Sequence, residues 1–191
     1  LFEQKNILRD NFVLPLSLVD VFKKKNINFT FFLSAEINKI ESEQENNLYA
    51  LSKFFLKDSM RFISRKNNIS FINIKNVYGP HDLNFNRLIP TLMLKFLLKK
   101  KNIKIKLSQN KKLIYVHDML PIIFNSIKNK KSLKIINIEG KKFNILKLWN
   151  FINKISKNKN IVVRKKNIYY SFIETLNWYK KNLNSIKKYH I

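Results

Sequence analysis

The chain has 191 residues, 45% hydrophobic and 13% aromatic, which suffices for a buried core and excludes a disordered polypeptide. It has no cysteine, which excludes disulfides and thiolate metal sites and points to a reducing cytoplasm, and its three histidines, His81, His117 and His190, lack the close spacing of a zinc site. A net charge of +26 suggests a nucleic-acid binder, but lysine dominates the 38 basic residues and arginine, the better fork for phosphate, is confined to Arg9, Arg61, Arg65, Arg87 and Arg164.

Lysine, asparagine, isoleucine and phenylalanine are inflated together while alanine and glycine are scarce, as drift in an AT-rich genome produces without any partner. No stretch approaches the roughly 20 apolar residues of a membrane span, and the start lacks a signal-peptide layout, so no membrane partner is expected. The chain opens on Leu1 rather than methionine, which suggests processing or a start inside a longer protein.

In chain order, Leu16, Leu18, Val19, Val21 and Phe22 make an apolar-faced helix after Pro15. The run Ile27 to Leu33 reads as a buried strand ending at Ser34. A polar loop follows, then a helix from about Leu48 to Arg65 that should turn Phe54, Phe55, Met60 and Phe62 towards a sheet. A second buried strand runs from Ile69 to Val77 and stops at the Tyr78-Gly79-Pro80-His81-Asp82 turn. Gly79 is one of only two glycines, so a backbone reason for keeping it is expected.

Pro90 should open a helix to about Lys99. Short strands are expected at Ile103 to Leu107 and Leu113 to Val116, and Asp118 is placed to cap a helix from Met119 to about Ile127. Ile135 to Ile138 is a further strand, and Ile145 to Ile155 an amphipathic helix. A helix from Ser171 to Asn182 packs through Phe172, Leu176, Trp178 and Tyr179. The lysine- and asparagine-rich segment 156–168 reads as a flexible connection.

Two of these elements carry chemistry. Tyr49 and Lys53 lie four apart on one helix, so the ammonium is brought beside the phenol and favours its ionised form, which suits Tyr49 to general acid/base work. The surrounding strand, loop, helix and strand make a βαβ unit, whose two strands open at the same edge of a parallel sheet, where ligands of such folds bind. That order brings Ser34 and Tyr49 to one place.

The pieces Ser34, Tyr49-x-x-x-Lys53, Asn76-Val77-Tyr78-Gly79-Pro80, Arg87-x-x-Pro90, Leu113 to Asp118, Asn137 to Gly140 and Thr175 to Tyr179 occur in sequence. In that order, over about Asn11 to Tyr179, they resemble the extended short-chain dehydrogenase/reductases, the NAD-dependent epimerase/dehydratase family acting on nucleotide sugars. The resemblance implies an α/β fold: the second half of a Rossmann-like parallel sheet, lacking the glycine-rich first βαβ, with a smaller C-terminal substrate-binding part. Residues 1–80 would belong to the NAD(P)-binding domain and 81–191 to the substrate-binding part, with about 113–140 returning to the Rossmann layer.

The resemblance further implies roles. Ser34 would hydrogen-bond the sugar oxygen, Tyr49 exchange the proton, and Lys53 hold the nicotinamide ribose of NAD or NADP. Asn76, Arg87 and Lys111 would face the substrate, and Glu36 would deprotonate a sugar carbon. The reaction implied is epimerisation, dehydration or reduction of a nucleotide sugar, with hydride passing between the sugar's C4 and the cofactor.

Several residues depart from the family's pattern. The loop from Ser34 to Tyr49 is short, Asn73 and Lys111 stand where arginine is common, and His117 replaces a usual aspartate. The family binds NAD through Gly-x-x-Gly-x-x-Gly, where absent side chains let backbone amides reach the pyrophosphate. With Gly79 and Gly140 as its only glycines, this chain has no such turn. Weak or no cofactor binding by the chain alone is therefore expected, as is an unpaired apolar sheet edge that invites a homodimer or a complementary subunit carrying the glycine-rich half. An inactive remnant of such an enzyme is the competing reading. A nucleic-acid-binding protein would explain the charge but none of the ordered motifs.

Overall fold

The computed structural model describes residues 6–22, 24–25, 27–34, 37, 47–63, 68–99, 109–128, 134–157 and 167–190. Its first sheet grows from alternation. In β1 (Asn28–Ser34), Phe29, Phe31 and Leu33 project to one face, which is the face that packs into a core. β2 (Asn68–Ile74) is buried from Ile69 through Ile72, as a central strand requires. β1 and β2 are parallel, with Leu33 opposite Asn73 and Ser34 opposite Ile74, and β5 (Lys134–Ile138) pairs parallel on the other side of β2. The order is β1-β2-β5.

Helices complete this layer. α1 (Leu14–Val21) carries Pro15 in its first turn, where a missing N–H costs nothing, and continues a π-helical turn at Arg9–Val13. α2 (Leu48–Ile63) links β1 to β2. Its residues Leu56 and Met60, four apart, bury completely against Val19, Leu33, Ile69 and Phe71. Phe55 and Phe62 were expected to face the sheet, but they lie on another side of the helix: Phe55 is half-exposed against Phe12, and Phe62 is 81% exposed. At 3.6 residues per turn, positions 55 and 62 cannot share the stripe of 56 and 60.

The second expected strand is broken in two. Asn76 adopts a left-handed backbone with φ 52, which asparagine tolerates better than most residues, and the chain leaves the first sheet there. β3 (Val77–Tyr78) joins a different sheet, pairing parallel with β4 (Asn110–Tyr115), and β4 pairs antiparallel with β6 (Lys141–Asn144). The expected strand at Ile103 to Leu107 lies outside the described residues, as does most of 156–168.

α3 (Leu88–Leu97) begins two residues before Pro90, with Arg87 at its N-cap, so Pro90 falls among the first four residues whose N–H groups have no helical partner. α4 (Val116–Lys128) begins directly at the end of β4. Asp118 is therefore not its cap, as the sequence suggested, but a first-turn residue, where a carboxylate still meets the positive end of the helix. α5 (Ile145–Lys157), α6 (Tyr170–Lys181) and α7 (Leu183–His190) follow.

The chain divides into two compact units, Leu1–Lys75 with Asp118–Glu139, and Asn76–His117 with Gly140–Ile191. β4 thus belongs to the second unit, and the segment from Asp118 to Glu139 to the first. Each unit has its own core. The second is built on Tyr78, Leu92, Met93, Phe143, Leu148, Phe172 and Tyr179, with the Tyr78 and Phe172 rings stacked at 4.3 Å. Both glycines serve it. A Cβ on Gly79 would stand 2.5 Å from Val116 Cγ1, and one on Gly140 would stand 2.3 Å from the Leu113 carbonyl carbon, inside the backbone of β4.

Candidate active site

β1 ends at Ser34, at the C-terminal edge of a parallel sheet, and the crossover helix α2 must start from that same edge to return to β2. Ser34 is half-buried there. Tyr49 lies in the first turn of α2 and is 38% exposed, open enough to meet a ligand.

One turn on, the Lys53 ammonium lies over the Tyr49 ring, 5.8 Å from its centroid. Helical side chains tilt towards the N-terminus, so Lys53 leans back onto Tyr49 as the spacing predicts. Burial pushes the Lys53 amine below its ordinary value, because a partly desolvated ammonium is costly. The amine is half-buried, one face against the phenol. The structure thus brings a phenol and a cation together in the first turns of the helix that follows the strand ending at Ser34.

Glu36 lies outside the described residues. Asn76, Arg87 and Lys111 belong to the second unit. Asn76 is bound to its own sheet: its Nδ2 donates to the Lys112 carbonyl at 3.0 Å and its carbonyl accepts from Ile114 N–H at 3.2 Å. These bonds hold the left-handed bend, a structural duty that the motif did not reveal. Arg87 is exposed and pairs with Asp82 at 3.5 Å. Lys111 is exposed on β4 opposite Phe143.

Two features escaped the sequence. Asn47 caps α2, its Oδ1 accepting from Tyr49 N–H at 2.9 Å; an asparagine directly before the expected start at Leu48 was the available signal. The turn at His81 and Asp82 is tied down by α6. His81 packs on Trp178 with centroids 4.6 Å apart, and the Tyr179 hydroxyl donates to the Asp82 carbonyl. Burial, and then the Asp82 charge, push the Tyr179 phenol well above its ordinary value. Among the described residues no cluster of His, Asp or Glu could hold a metal ion, and no helix is long and apolar enough to cross a membrane.

A family model described as the NAD dependent epimerase/dehydratase family matches residues 3–145. No curated protein sequence matches the chain. Among solved structures, the fold is similar to the Bordetella bronchiseptica enzyme WbmF in complex with NAD+ and UDP, with a TM-score of 0.78 at 20% identity, covering 93% of this chain and 66% of that one. It is similar also to UDP-glucuronic acid 4-epimerase from Bacillus cereus in complex with NAD, with a TM-score of 0.72 at 15% identity over 90% of this chain and 65% of the other. A third is UDP-N-acetylglucosamine 4-epimerase from Methanobrevibacter ruminantium in complex with UDP-N-acetylmuramic acid, with a TM-score of 0.73 at 19% identity over 91% and 70%. The chain thus spans about two thirds of the length of these proteins.

Proposed function

Because the chain belongs to the NAD-dependent epimerase/dehydratase family, we propose that it carries the proton-exchanging part of a nucleotide-sugar epimerase, dehydratase or reductase. The observation that carries this reading is the Lys53 ammonium seated over the Tyr49 ring in the first turn of a capped helix. In the proposed reaction Tyr49 takes or returns the proton of the sugar hydroxyl at C4, Ser34 holds that oxygen, and Lys53 stabilises the phenolate by its charge. Glu36 would act on a neighbouring C–H bond. Asn76, Arg87 and Lys111 are assigned to the nucleotide-sugar substrate by motif alone.

The residues present fit one end of NAD or NADP. The Lys53 amine is suited to donate to the ribose diol, and the cofactor, when bound, supplies the hydride acceptor. They do not supply the pyrophosphate cradle, since both glycines are occupied in the packing of the second unit. This favours a second reading of the same site, in which the chain works as a hetero-oligomer with a complementary subunit that carries the glycine-rich half.

The test is conversion of a panel of UDP-, GDP- and CDP-sugars with NAD or NADP, by this chain with and without a separately produced glycine-rich half. Turnover is expected only from the combination. Tyr49→Phe should lower it by about 100-fold or more, the scale of a lost general acid/base. Turnover that survives Tyr49→Phe intact would overturn the assignment.

A further inference from the structure

Tyr49 is the second helical residue of α2, and two side chains hold its backbone. Asn47 Oδ1 accepts from its N–H at 2.9 Å, while the Asn47 carbonyl accepts the first helical bond, from Leu51 N–H, also at 2.9 Å. From the other side Ser52, fully buried, donates its hydroxyl to the Tyr49 carbonyl at 2.7 Å. A helix starts with N–H groups that have no partner in the helix, and a capping oxygen decides which residue comes first. If α2 began two residues later, Tyr49 would itself be the cap, with extended backbone, and its phenol would leave the stripe it shares with Lys53. Ser52 acts in the same direction by tying Tyr49's carbonyl into the turn.

We propose that Asn47 and Ser52 are positioning residues for proton exchange at Tyr49, fixing the first turn of α2 so that the phenol meets the helix N-terminus and the Lys53 ammonium together. The proposal rests on the role given to Tyr49 above. The N-terminus of a helix carries a partial positive charge that fades within one turn, and the Cα–Cβ bond of Tyr49 tilts towards it. Both neighbours therefore stabilise the phenolate, and both depend on where the helix begins.

The experiment follows the ionisation of Tyr49 in the whole chain by NMR of tyrosine carrying a ring-carbon label, with Tyr49→Phe assigning the signal. Asn47→Ala should move its midpoint upward by roughly half a pH unit. Asn47→Ser, which keeps a capping oxygen, should return it. Asn47→Gly leaves the helix nearly as stable but has no side-chain oxygen, so it should shift the midpoint while circular dichroism stays unchanged. Ser52→Ala should shift it less, in the same direction.

If Asn47→Gly and Ser52→Ala leave the midpoint where the unaltered chain has it, the positioning role is overturned. Lys53→Met reports separately on the pair. A midpoint that ignores Lys53→Met but follows Asn47 would uphold the cap and sink the Tyr49–Lys53 assignment; the reverse pattern would sink the cap alone.

Discussion

Lys53 is held at a cost to the fold. Its folded-state value lies below the 10.5 of a free lysine, so between those two values the unfolded chain binds the extra proton and stability rises with pH. Below that window the ammonium is charged in both states and the desolvation penalty is paid in full. Lys53→Met should therefore raise the urea midpoint at neutral pH and flatten the rise on the alkaline side, while abolishing the site's chemistry. Tyr179 has the opposite sign. Its phenol is raised above 10.0, so its contribution is complete below that pH and is lost as pH climbs past it, when the unfolded chain ionises first. Tyr179→Phe should cost about 1 to 3 kcal/mol at neutral pH, because the buried bond to the Asp82 carbonyl goes, and it should remove this alkaline loss in denaturant titrations.

Among elements, the β4–β6 ribbon sets the sharpest tests. Lys112 lies directly opposite Lys142, a like-charge pair that a sheet disfavours, and Lys142→Glu should raise the thermal midpoint through about 0.2 to 1 kcal/mol of added stability. Gly140→Ala would drive a methyl group into the Leu113 backbone and should destabilise by about 1 to 3 kcal/mol or open the ribbon. β6 itself was invisible in the sequence: Lys141, Lys142 and Asn144 surround a single apolar residue, Phe143, and pairing with β4, not propensity, makes them a strand. By contrast β1 was legible in the alternation of Phe29, Phe31 and Leu33, and α2 in its extent, although of the residues expected to face the sheet only Met60 and Phe54 pack in the core, and the fully buried Leu56 was not among them. The break at Asn76 was not legible, because its neighbours Ile74 and Val77 continue the look of one strand and nothing in an apolar pattern records a left-handed φ. The Tyr49–Lys53 contact could be read from its spacing. The tethers of Asn76 could not, because they run to β4, more than thirty residues on.

At the scale of the molecule, charge and glycine content matter most. A net +26 on 191 residues repels itself more in the compact state than in the unfolded one, so raising salt from about 0.05 to 0.5 M should increase the thermal midpoint as the screening length shrinks. The same salt should release any oligonucleotide, since lysine contacts to phosphate weaken steeply with ionic strength. The whole chain has two glycines, and both sit where a Cβ has no room. At these two points, the turn after β3 and the entry to β6, the spacing between neighbouring segments is set by the absence of a side chain, so any other residue would have to push Val116 or the backbone of β4 aside.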